Sequence, residues 1–132
     1  MVQDSINRRT FLGGVAGVAG LAHAPAAFAQ WRTVFERLGV DLAVVETGCC
    51  GMAGTFGHEV RNRGLSEKLY RMSWRPALAE AQPDDVLMAT GYSCRSQVKL
   101  MEKRQMPHPL QIIRAILRSE EHTSELQSLA YL

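Results

Sequence analysis

Apolar residues fall in two short continuous runs, Leu42-Ala43-Val44-Val45 and Val86-Leu87-Met88-Ala89, and each run ends at a glycine-bearing turn. Runs of this length without polar alternation predict strands buried on both faces, as parallel strands are. Between them the periodicity changes to that of a helix. Leu65, Leu69 and Met72 recur at helical spacing, which predicts a core-facing stripe, with Ser66 as N-cap of a helix running toward Trp74. Pro76 then either breaks that helix or opens a second helical piece ending near Ala81. Helices are also expected over residues 32–38, closed by Gly39, over 95–104 and over 110–117. The fold class is therefore α/β, a partial Rossmann-like βαβα unit. Two strands cannot bury both faces of a sheet, so exposed apolar surface and marginal stability are expected.

The chemistry gathers where the strands end. Thr47-Gly48-Cys49-Cys50-Gly51-Met52-Ala53-Gly54-Thr55-Phe56-Gly57-His58-Glu59 follows the first strand, and Gly91-Tyr92-Ser93-Cys94 follows the second. A right-handed crossover between parallel strands carries all three cysteines to the carboxyl edge, where open α/β sheets hold ligands. Adjacent cysteines have Cα atoms about 3.8 Å apart, too close for an ordinary disulfide, so Cys49 and Cys50 point to different sides of one site. Gly48, Gly51 and Gly54 free the backbone to approach a bulky cofactor. A helix start at Cys94 is expected to lower its thiol pKa. Three thiols fall one short of the four ligands usual for an iron-sulfur cluster or a structural zinc, and His58 is the candidate fourth. The plainer alternative treats the cysteines as small buried hydrophobes and His58 as a loop residue. His108, between two prolines, reads as a turn or helix-entry residue.

The Gly48-Cys49-Cys50-Gly51 run with its Gly-Tyr-Ser-Cys turn resembles the cysteine-rich CCG domain of iron-sulfur oxidoreductases. TGCCGMAGTFGHE, MSW, ATGYSCRSQVK and HPLQ resemble, more closely, the C-terminal end of large FAD-linked, iron-sulfur oxidases of the D-2-hydroxyglutarate dehydrogenase type. The resemblance covers roughly residues 31–117. It departs from the wider CCG pattern at Gly91, where a second-half cysteine is usual, and it lacks the upstream cysteine-bearing element. It implies an iron-sulfur cluster bordered by Cys49, Cys50 and Cys94 with His58, and FAD held by regions outside this stretch. Its implied partners are upstream flavin and ferredoxin-like domains and an electron acceptor of unspecified kind. On this reading the parent oxidises a 2-hydroxy acid and works on the cytoplasmic side, in the cytoplasm or against the membrane, and the fragment is inactive alone.

Both ends read differently from the middle. Asn7-Arg8-Arg9-Thr10-Phe11-Leu12-Gly13, an apolar Gly/Ala/Val run and Ala27-Phe28-Ala29 resemble a twin-arginine export signal, which implies a helical or disordered segment over 1–30 and a periplasmic destination. The apolar run is too short and too glycine-rich for a membrane span. Residues 118–128 resemble the conceptual translation of a sequencing adapter, so 118–132 is assigned no function, although its Glu and Leu content favours extending the preceding helix. The organisation expected is thus signal 1–30, incomplete CCG domain 31–117 and an artefactual tail 118–132. A net charge of +2 gives no argument for nucleic acid. Arg61, Arg63, Lys68, Arg71 and Arg75 read as a solvated helix face. Two other functions fit the cysteines: a small exported metal-binding or redox module, and a zinc-binding scaffold piece.

Overall fold

A computed structural model describes residues 10–15 and 24–129, with side chains over 28–121. The elements are β1 Thr10–Val15, α1 Ala24–Arg37, β2 Leu42–Thr47, α2 Arg63–Ala79, β3 Val86–Ala89, α3 Tyr92–Glu102 and α4 Pro109–Leu129. Two short 3-10 turns, Phe56–His58 and Val60–Asn62, lead into α2. Both predicted strands are present, and the α/β class holds.

The sheet has a strand that the sequence pattern assigned elsewhere. β1 lies between the other two in the order β2-β1-β3, parallel to both, with Thr10 opposite Leu42 and Val86, and Gly13 opposite Val45 and Ala89. The expectation of a helical or disordered segment there is corrected for residues 10–15. A short apolar run cannot be told from a buried strand by periodicity, and here a ladder on each side satisfies its backbone groups. β2 and β3 are therefore not neighbours. Helix α1 runs unbroken across residues 30–31, and α4 continues from 117 through 118 as its composition favours.

Three strands alter the burial expected of two. Leu87 and Ala89 pack with Tyr70, Trp74, Val98 and Met106 on one face, under α2 and α3. Leu42, Val44 and Met88 pack with Phe35, Ile112, Ile113 and Ile116 on the other, under α1 and α4. Met88 and its neighbours thus serve opposite faces, as strand alternation requires. Among the described residues, the large apolar side chains left exposed lie on helices and turns, with Val60 at 90%, Met72 at 69% and Leu65 at 54%.

That exposure corrects the predicted face of α2. Its buried positions are Ser66, Tyr70 and Trp74, spaced by four, whereas Leu65 and Met72 face solvent. Ser66 is not the N-cap. The helix begins at Arg63, and Ser66 lies buried one turn in, accepting a hydrogen bond from Gln97 Nε2 at 3.0 Å. Pro76 neither breaks the helix nor starts another piece. It stands at an exposed position, where water can serve the carbonyl that the ring leaves without a donor. The cations around α2 behave as a solvated face: Arg61 pairs with Glu59 at 2.8 Å, Arg63 with Glu67 at 3.1 Å, and Arg75 reaches Glu102 at 3.6 Å.

Candidate functional site at the carboxyl edge of the sheet

The loop after β2 is held against α2 by two hydrogen bonds and one close main-chain approach. Trp74 donates its indole N–H to the Gly48 carbonyl at 3.0 Å, and Ser73 Oγ donates to the Cys49 carbonyl at 3.1 Å. The third contact depends on glycine. Gly51 has φ +84°, and a Cβ there would overlap the backbone carbonyl of Ser66, so loop and helix meet main chain to main chain. Gly48 lies against Ser73, while Gly54, at φ +66°, opens to free space. Of the three glycines proposed for cofactor approach, Gly51 is occupied in packing the loop on α2.

This docking turns Cys50 inward and leaves Cys49 exposed. Cys94 comes from the other side. α3 starts at Tyr92, three residues earlier than predicted, so Cys94 lies within its first turn, beside Gly91. Cys50 and Cys94 are 3% and 6% exposed and belong to one packed cluster. All three cysteines are free.

The pair shares its protons unequally. The hydrogen bond from Cys94 holds the Cys50 thiol down at about 6, against the opposing effect of burial, and backbone groups around Met52 and Ala53 assist. Cys94 is raised, first by that same hydrogen bond, then by burial and by the charge that Cys50 carries. The helix start was expected to lower Cys94; the neighbouring sulfur outweighs it, and the low-pKa thiol is Cys50. Two thiols that influence each other in this way titrate as a pair.

A pH dependence of stability follows for the metal-free chain. Cys50 ionises at about 6 when folded against an ordinary 9.0. The folded state therefore gives up that proton first, and stability rises from about pH 6 to about pH 9. Above that range the unfolded chain ionises Cys94 while the folded chain still holds its proton, so the contribution falls. The thermal midpoint of wild type relative to Cys50→Ser is expected to rise between pH 6 and 9. A pH-independent difference would mean that the two thiols do not influence each other.

The remaining predicted ligands stand apart. Cys49 Sγ accepts the Gly51 N–H at 3.3 Å, although its charge is felt at Cys94. His58 ends the first 3-10 turn, exposed. Among the described residues no three His, Cys, Asp or Glu side chains are grouped to hold a metal ion. The donor set as placed fits half of a thiolate site rather than a closed one. His108 is a helix-entry residue as expected: its Nδ1 accepts the Leu110 N–H at 3.2 Å and its ring meets Trp31 edge-on.

Sequence reasoning missed a buried polar group beside the thiols. Tyr70 is fully buried, and its hydroxyl and Gln97 Oε1 lack hydrogen-bond partners. Burial, then the Glu102 carboxylate, raises the Tyr70 phenol. The i, i+4 spacing of Ser66, Tyr70 and Trp74 was the available signal.

The fold and site define a parallel α/β unit with a buried thiol pair at its carboxyl edge. The chain is similar to a stretch of D-2-hydroxyglutarate dehydrogenases. It is 51% identical to the Pseudomonas putida protein over 89 residues, 67% of the chain and 8% of that protein. It is 44% identical to the Escherichia coli protein over 108 residues, 82% of the chain and 10% of that protein. The Haemophilus influenzae protein matches at 47% over 89 residues, 67% of the chain and 9% of that protein. The chain thus spans about a tenth or less of the length of the curated relatives it matches. No protein-family model matches the chain. No solved structure matches it. Among the described residues no helix is long and apolar enough to cross a membrane.

Proposed function

We propose that this chain is a piece of an FAD-linked, iron-sulfur 2-hydroxy acid dehydrogenase of the D-2-hydroxyglutarate type, and that residues 31–117 supply part of its electron-transfer site. The supporting observation is the convergence of Cys50 and Cys94 at the sheet edge, within a stretch so similar to dehydrogenases of that name. Cys50 and Cys94 would ligate an iron-sulfur cluster, with Cys49 and His58 near the rim and the other ligands drawn from upstream. A cluster would pass single electrons, and FAD, bound elsewhere in the parent, would take the hydride equivalent. This chain's own part is to exclude water around two sulfurs, to hold one of them as thiolate, and to fix both on rigid elements. Its partners in this reading are the flavin and ferredoxin-like domains of the parent, and the working compartment is cytoplasmic. Residues 10–15 lend this unit its central strand, and 118–132 takes no part in the site.

The test is a chimera in which residues 31–117 replace the matching stretch of the Pseudomonas putida protein. It is expected to keep D-2-hydroxyglutarate-dependent dye reduction. Cys50→Ala or Cys94→Ala should lower both turnover and iron content at least tenfold. Unchanged iron and turnover in both variants would refute the proposed role of the pair.

A further inference from the structure

Helix α2 buries one face on the sheet and leaves the opposite one apolar and uncovered. Leu65 and Met72, two turns apart, share its solvent side, and Val60 stands exposed in the turn ahead of it. A helix that covers a sheet ordinarily carries polar residues there, and a run of large exposed apolar side chains marks a contact surface. The strip passes beside the half-built thiolate site. Ser73, next to Met72 in the helix, holds the Cys49 carbonyl at 3.1 Å, and Cys49 itself is exposed. Cations flank the strip, since Lys68 and Arg75 follow Leu65 and Met72 by three positions each. Lys68 makes no ion pair among the described residues, and Arg71 and Arg75 reach Glu67 and Glu102 only at 3.7 and 3.6 Å.

We propose that this strip seats the upstream part of the parent chain, which covers it with an apolar patch edged by carboxylates and so brings further donors to the exposed side of Cys49. The proposal rests on the reading of the chain as a piece of a larger dehydrogenase. The matched stretch is about a tenth or less of its relatives, so a parent of this kind keeps the bulk of its chain outside it. The charge selects an acidic rim: α2 carries Arg63, Lys68, Arg71 and Arg75 against Glu67 alone. A second copy of the chain would present the same positive face. A lipid surface would meet the charges but supply no donor to the site beside the strip.

Met72, 69% exposed, is its own probe. Hydroxyl-radical footprints of the full 132-residue chain are compared with those of the full-length chimera with the Pseudomonas putida protein, reading Met72 and Leu65 by peptide mass. Labelling of both is expected to fall about tenfold in the chimera, as at the dry centre of an interface. A zero-length carbodiimide should join Lys68 to a carboxylate outside residues 31–117. Leu65→Glu with Met72→Glu should leave the thermal midpoint of the free chain unchanged, both positions being exposed, and should return Val60 in the chimera to its free-chain labelling. Equal labelling of free chain and chimera would overturn the proposal. So would protection of Met72 by self-association of the free chain, or by phosphatidylglycerol vesicles, with none in the chimera. Should the chimera not assemble, the matching helix of the unmodified Pseudomonas putida protein, footprinted native and in urea, decides the same question. Iron content reports separately on the cluster: protection without iron keeps the surface and removes the cluster, and iron without protection does the reverse.

Discussion

Gly51→Ala is expected to destabilise the chain by about 3 kcal/mol or more, because two independent penalties fall on one atom. The position holds φ +84°, where a Cβ is itself strained by about 1–2 kcal/mol. The new methyl would also overlap the Ser66 carbonyl and stand 2.9 Å from its carbon. Neither neighbour is a flexible side-chain end, so loop and α2 must separate. Separation would expose Cys50, so the urea midpoint should fall together with faster alkylation of that thiol in the native state. Gly54→Ala shares the positive φ but meets nothing within 4 Å, which makes it the matched control for backbone strain alone. Equal effects of the two substitutions would show that contact with Ser66 carries no weight.

Trp74→Ala should be of similar or larger size, about 3–5 kcal/mol, since a side chain 1% exposed leaves a cavity between α2 and the sheet. Trp74→Phe separates the two roles of the indole. It keeps most of the ring but leaves the Gly48 carbonyl without its 3.0 Å donor, a loss of about 1–3 kcal/mol. Denaturant unfolding of both variants is the measurement. A Phe variant as stable as wild type would mean that water replaces the indole at Gly48, and that the loop is held by Gly51 and Ser73 alone.

Both substitutions act where the sequence was only half legible. The cysteine loop, its place after a strand and the glycine demand were readable, because Cys-Cys between glycines has few structural explanations. The two outer strands were readable from continuous apolar runs. The phase of α2 was not, since Leu65 and Met72 looked more apolar than Ser66. Burial of Ser66 is set by its partner Gln97, 31 residues away, and no local pattern reports such a pair. The direction of the Cys94 shift was hidden for the same reason: the helix start is local, whereas the opposing sulfur arrives through tertiary packing. β1 was obscured by a competing local meaning, because an apolar Thr-Phe-Leu-Gly-Gly-Val run after two arginines satisfies an export signal as well as a strand.

The central place of β1 makes those two meanings mutually exclusive in one molecule. A signal peptidase cutting after Ala29 would carry off Thr10–Val15 and the first turn of α1, and with them both of the ladders that join the sheet. β2 and β3 would then face each other across an empty strand's width, about 9–10 Å, with their inner backbone groups unpaired. Removal of those residues would therefore act on this fold as an unfolding event.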